Sequence, residues 1–123
     1  MSQKSTGNDV LRERLSRSSE LTISVTGRKS GRTISIPIWF VLEDENLYLL
    51  PVQGSDTQWY KNVLANPSIR IGAGDAVAEF RVDTLTDPTQ VSSVVEKFRG
   101  KYHADVKKYY SKFDVAVLVK IGF

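Results

Sequence analysis

Apolar and polar residues alternate over Leu21–Val25 and again from Thr33 to Val41, the period of a half-buried strand. In the second run Ile34, Ile36, Ile38 and Phe40 share one face and read as core, while Thr33, Ser35, Pro37 and Trp39 share the other. Pro37 has no N–H for a ladder, so this strand belongs at a sheet edge or a bulge. Leu47–Val52, Ser68–Ala73 and Ala76–Leu85 predict three more strands, the last two joined through Gly74-Asp75 as a hairpin. Val115–Ile121 is apolar at nearly every position, which suits a central strand covered on both faces.

Between these runs the period changes. Asn8 or Asp9 is a candidate cap for a short helix through Arg17, and Met1–Gly7 before it is polar and expected to be disordered. Ser55 and Gln58 have capping-box spacing for a helix that presents Trp59, Tyr60, Val63 and Leu64 as an apolar stripe, with Asn62 on its flank and Asn66-Pro67 as its stop. Asp87-Pro88 starts another, whose buried face is Val91, Val94, Val95 and Phe98 and which Gly100 ends or kinks. Tyr102, Val106, Tyr109, Tyr110 and Phe113 continue helical spacing with basic residues between them. The order predicts a mainly β chain with helices: a six-stranded antiparallel barrel flanked by helices, residues 20–123 forming one domain after an arm and short helix over 1–19.

Composition narrows the chemistry. The chain has no cysteine and one histidine, which excludes disulfides and thiolate metal sites and makes a histidine metal site a poor expectation. No apolar run approaches the roughly 20 residues of a membrane span, and no signal-peptide core is visible, so a cytoplasmic protein is expected. The net charge of +3 is uneven. Residues 1–32 carry seven Lys/Arg against three acids, residues 33–96 three against nine, and residues 97–112 six against one. Two basic blocks could converge on one anionic ligand; the plain alternative is a solvated arm and a solvated helix face.

The first block ends in Thr26-Gly27-Arg28-Lys29-Ser30-Gly31-Arg32, a basic turn between two strands. Two glycines permit a backbone nest, and the cations and hydroxyls add charge-assisted hydrogen bonds, so the turn is a candidate phosphate grip. The face of Pro37 and Trp39 is a candidate bed for a planar ligand.

The turn, Pro37 and Trp59-Tyr60-Lys61-Asn62-Val63-Leu64-Ala65-Asn66-Pro67 together resemble the deazaflavin-dependent nitroreductase and quinone reductase family, of the FMN-binding-type split β-barrels. The resemblance runs from about Leu21 to Ile71. It implies a split barrel that binds a deazaflavin coenzyme, or alternatively FMN, and passes a hydride to a quinone-like or nitroaromatic acceptor. It implies that Arg28, Lys29, Ser30, Gly31 and Arg32 hold the phosphate side, that Pro37, Trp59 and Asn62 border the ring, and that Trp39 and Tyr109 belong to the acceptor pocket. It allows a homodimer with the cofactor near the interface.

The chain departs from that family at two places. Ile34 stands where deazaflavin-using relatives commonly have an arginine, and Val52-Gln53-Gly54-Ser55 where they have Ser-Lys-Gly-Gly. Two readings therefore stay beside the reductase: a non-catalytic cofactor- or tetrapyrrole-binding barrel, and, less favoured, a nucleic-acid-binding barrel. No nucleic acid and no resident metal are expected, and no catalytic residue is named. His103 reads as an exposed helix residue.

Overall fold

Six predicted apolar runs become eight strands because the two longest change sheets partway. The computed structural model describes residues 7–121. In chain order it has α1 (Gly7–Ser16), β1 (Leu21–Thr26), β2 (Thr33–Ile38), β3 (Phe40–Glu43), β4 (Asn46–Leu49), α2 (Gln58–Ala65), β5 (Ser68–Ala73), β6 (Ala76–Arg81), β7 (Asp83–Leu85), α3 (Pro88–Tyr102), α4 (Asp105–Tyr109) and β8 (Ala116–Lys120). The strands form two four-stranded sheets, ordered β2-β1-β5-β6 and β3-β4-β8-β7, with every neighbouring pair antiparallel. The result is a mixed α/β, split-barrel-like fold with flanking helices.

The first change of sheet is at Trp39. Ile38 still pairs with Leu21, while Phe40 already pairs with Leu49 of the other sheet. The second is at Val82, between Arg81, paired with Ser68, and Asp83, paired with Leu118. The alternation survives the corner, Ile36, Ile38 and Phe40 packing on one core and Trp39 and Val41 on the other, and the expected core set is corrected at Ile34, which lies at the turn end of the strand. Phe40 is fully buried, Ile36 and Ile38 only half-buried, and Ile34 is 40% exposed. β2 is an edge strand, as Pro37 requires.

The main core lies between the sheets, where Ile23, Ile71, Leu47 and Val119 meet Leu11 and Leu15 of α1 and Val63 of α2. Each such fully buried aliphatic side chain contributes about 1.5–3 kcal/mol of transfer free energy. A second core lies under α3, with Val91, Val94, Val95 and Phe98 against Val41, Leu50 and Ala116. β8 serves both, Val117 and Val119 facing one core and Ala116 the other, so it is central and covered on both sides.

The helix boundaries bring further corrections. α1 begins at Gly7, so Asn8 and Asp9 lie within it, and the expected disorder of Met1–Gly7 is corrected at Gly7, its other residues lying outside the described ones. Thr57, not Ser55, is the N-cap of α2, and no side chain caps it. Ser55 turns instead to Asp114, whose carboxylate accepts from its N–H (2.9 Å) and its hydroxyl (2.6 Å). Leu64 is exposed rather than part of the buried stripe. α3 starts as expected, the Asp87 carboxylate accepting the Gln90 N–H at 3.1 Å, but runs through Gly100 to Tyr102. Among the described residues no helix is long and apolar enough to cross a membrane.

Candidate functional site

The basic turn closes on itself. Gly27 N–H donates to the Arg32 carbonyl (2.8 Å), Gly31 N–H to the Gly27 carbonyl (2.9 Å), and Arg32 N–H to the Ser30 hydroxyl oxygen (3.2 Å). Gly31 has φ +72, a left-handed backbone that a side chain would strain. Arg28 folds away from the tip and onto α2. Its N–H (3.1 Å) and Nη1 (2.7 Å) donate to Asn62 Oδ1, and its Nη2 donates to Gln58 Oε1 (2.9 Å). Gln58 and Asn62 lie one helical turn apart on one face, which is why a single guanidinium reaches both. Asn62 is 5% exposed, so this tie satisfies a buried amide.

Four N–H groups of the turn are thus committed. Those of Lys29 and Ser30 have no protein acceptor among the described residues, and the side chains of Lys29 and Arg32 are exposed beside them. The nest is therefore narrower than the glycine spacing implied: two amides and two cations rather than a full ring of donors.

At the other end of β2 lies a cavity of about 390 Å³. The sheet-changing corner supplies Pro37, Ile38 and Trp39, and α2 supplies Trp59. Leu50 and Val52 come from the segment after β4, and Tyr109 and Tyr110 from the end of α4. Trp39 is fixed by its neighbours: it stacks on Tyr102 (4.3 Å between centroids, 6° between planes) and meets Tyr109 edge-on (5.7 Å, 88°). The corner itself is held by α3. The Tyr102 hydroxyl accepts the Phe40 N–H (3.1 Å) and lies within bonding distance of the carbonyls of Phe40 (2.8 Å) and Ser19 (2.9 Å), one of which takes its proton. Lys101 Nζ donates to the Phe40 carbonyl (2.8 Å) above the Phe40 ring.

Burial shapes the protonation around this wall. It pushes the Tyr102 and Tyr110 phenols above their ordinary value, so both are O–H donors at neutral pH, and it pulls the Lys101 ammonium down.

The structure therefore gathers Pro37, Trp39, Trp59 and Tyr109 at one cavity and joins Arg28 to Asn62. Lys29, Ser30, Gly31 and Arg32 stand on the exposed turn and do not line the cavity. β2 connects the two places: Thr33 to Pro37 spans about 13 Å. Lys97 pairs with Glu43 (2.8 Å), Lys112 with Asp56 (3.1 Å), and Arg99 with Glu96, so much of the late basic block is spent on local ion pairs. Sequence reasoning missed Glu20 and Asp105 in the cavity wall. Asp105 was findable, since it stands four residues before Tyr109 on one helical face. Glu20, just before β1, carries no such signal. His103 is exposed at the end of α3, with φ +57.

A family model described as "Uncharacterized protein conserved in bacteria (DUF2255)" matches residues 12–116. No curated protein matches the chain. Among solved structures, an F420-H2 dependent reductase is similar with a TM-score of 0.64 at 22% identity, over 82% of this chain and 93% of its own. A structure described as a domain-swapped dimer is similar with a TM-score of 0.66 at 21% identity, over 93% and 99%. The heme storage protein HutZ of Vibrio cholerae is similar with a TM-score of 0.69 at 13% identity, over 90% and 87%. At these identities the likeness is one of fold.

Proposed function

The chain belongs to the DUF2255 family of bacterial proteins, and on that footing we propose that it is an oxidoreductase that binds a deazaflavin coenzyme or a flavin nucleotide such as FMN. The observation that carries this reading is the tie from Arg28 to Asn62 and Gln58. It fixes a cationic turn to the helix whose Trp59 walls an aromatic cavity, which suits a ligand with a phosphate at one end and a planar ring at the other. The cavity volume falls in the roughly 300–1,000 Å³ range of small-molecule sites. The likeness to an F420-H2 dependent reductase supports the same reading.

Each residue then has a part. Lys29 and Arg32, with the N–H groups of Lys29 and Ser30 and the Ser30 hydroxyl, hold the phosphate. Gly31 gives the turn its left-handed residue, and Arg28 with Asn62 positions the whole grip. Pro37 and Trp59 border the ring, and Trp39 and Tyr109 line the acceptor side. When bound and reduced, such a cofactor supplies a hydride to a quinone-like or nitroaromatic acceptor. The protein orients the ring and keeps water from it. A homodimer is part of the proposal, in keeping with the domain-swapped dimer among similar structures.

Titration of purified protein with each oxidised cofactor, followed by absorbance and fluorescence, tests this. Saturable binding below tens of micromolar is expected, and no binding of either cofactor would overturn the reading. The likeness to a heme storage protein favours one second reading, a carrier of a cofactor or tetrapyrrole without turnover. Its only histidine lies outside the cavity, so such a carrier would hold a tetrapyrrole without a histidine ligand. Turnover of quinones or nitroaromatics with reduced cofactor would reject the carrier. Nucleic-acid binding loses ground, because Lys97, Arg99 and Lys112 of the late basic block are engaged in ion pairs.

A further inference from the structure

The protein carries +3 overall, yet the cavity is lined by two acidic residues, Glu20 and Asp105, and among the described residues by no lysine, arginine or histidine. Between them stand the π faces and edges of Trp39, Trp59, Tyr109 and Tyr110. We infer that the cavity selects a planar aromatic ligand bearing a positive charge, on the ring or on a short arm, over its neutral and anionic counterparts.

Both acidic residues belong to segments next to Trp39 and Tyr109: Leu21, after Glu20, pairs with Ile38, before Trp39. Asp105 opens α4 one helical turn before Tyr109. Glu20 follows Ser19, whose carbonyl lies 2.9 Å from the hydroxyl of Tyr102, the residue stacked on Trp39. The acids therefore stand on the acceptor side, away from the basic turn. Aromatic faces attract cations through the ring quadrupole, and a carboxylate beside them adds Coulomb attraction that an exposed ring lacks. The protein already uses Tyr109 this way, with Lys108 Nζ 5.3 Å from its ring centroid. An anionic ligand would meet the two acids with only Lys108, beside Tyr109 and not itself in the lining, as a nearby cation among the described residues. This inference deepens the proposed function by naming the acceptor's charge, and it rests on that reading only for the word acceptor.

The experiment compares three small rings of one shape: 1-methylnicotinamide (cation), nicotinamide (neutral) and nicotinate (anion). Isothermal titration at low salt, without cofactor, gives their affinities. The chain's only two tryptophans, Trp39 and Trp59, both line the cavity, so saturable quenching of intrinsic fluorescence locates the binding. The cation is expected to bind about tenfold more tightly than the neutral ring, and the anion weakest. Glu20→Gln with Asp105→Asn should cut that preference to about threefold or less, with the neutral ring unaffected. Both residues are exposed, and an unchanged Tm confirms that the double variant folds. Equal affinities for cation and neutral ring, or a preference undiminished in the double variant, would overturn the inference. Titration of the same preparations with deazaflavin and FMN separates the two proposals: cofactor bound without cation selectivity sinks this one alone, and cation selectivity without cofactor sinks the other alone.

Discussion

Arg28 and Lys29 are adjacent cations with different work. Arg28 spends its N–H groups on Asn62 and Gln58, whereas Lys29 stands exposed at the tip. Removing the Arg28 side chain leaves Asn62 Oδ1 buried with only the backbone amide as donor. Arg28→Ala should therefore destabilise the protein by about 1–3 kcal/mol, read by urea denaturation. Lys29→Ala should leave the unfolding midpoint alone and weaken cofactor binding by about 1–3 kcal/mol, the loss of one charged hydrogen bond. If both variants changed only stability, or both only binding, the division between tie and grip would be wrong. The turn's residue types were legible in the sequence, because glycine and cation spacing is local information. That Arg28 bonds 34 positions away was not, since nothing in a turn announces which helix will pass beneath it.

At the scale of elements, the segment before α2 is stapled to the one before β8. Asp114 accepts both the amide and the hydroxyl of Ser55, and Lys112 pairs with Asp56. Gly54, with φ +54, has no room for a side chain, since a Cβ there would sit 2.1 Å from Asp114 Oδ1. The Ser55 hydroxyl, then its amide and the Lys112 charge, hold the Asp114 carboxyl below its ordinary value. Folding therefore favours the ionised form. The stability it confers is complete above about pH 4 and is lost as pH falls through the depressed folded value. Asp114→Asn should flatten the acid limb of a Tm-against-pH curve while leaving its alkaline limb in place; an unaltered acid limb would speak against the staple. In the sequence Ser55 read as a helix cap, and it has the right spacing for one. A carboxylate 59 residues away offered both its N–H and its hydroxyl a charged acceptor, and that competition is invisible locally.

For the whole molecule, strands and helices were legible where one period holds for five residues or more, as in β1, β5 and α3. The reading failed where the chain turns a corner between sheets. Through Trp39 the alternation persists, with Ile36, Ile38 and Phe40 on one core and Trp39 and Val41 on the other; hidden in the sequence were the change of sheet and the exposure of Ile34 at the turn end of an edge strand. The cavity opens at that corner, and its wall draws on residues from Glu20 to Tyr110. Its aromatic members could be proposed one at a time from strand and helix positions. Its acidic character belongs to the assembled wall and appears only once distant segments meet.

β8 lies between β4 and β7, and it is the last of these strands in chain order. During synthesis the second sheet therefore has no middle until its final element leaves the ribosome: β3 and β4 can form a hairpin, but β7 has nothing to pair with. The helix layer that carries Tyr102, Tyr109 and Tyr110 rests on that sheet through Val41 and Leu50 as well as Ala116, so its footing is complete only once β8 is in place. A growing chain thus displays its phosphate-type turn, a local hairpin, well before it owns a cavity. Ligand capture before β8 has paired would be limited to loose contact with the turn, and occupancy of the full site becomes an event that follows the docking of β8.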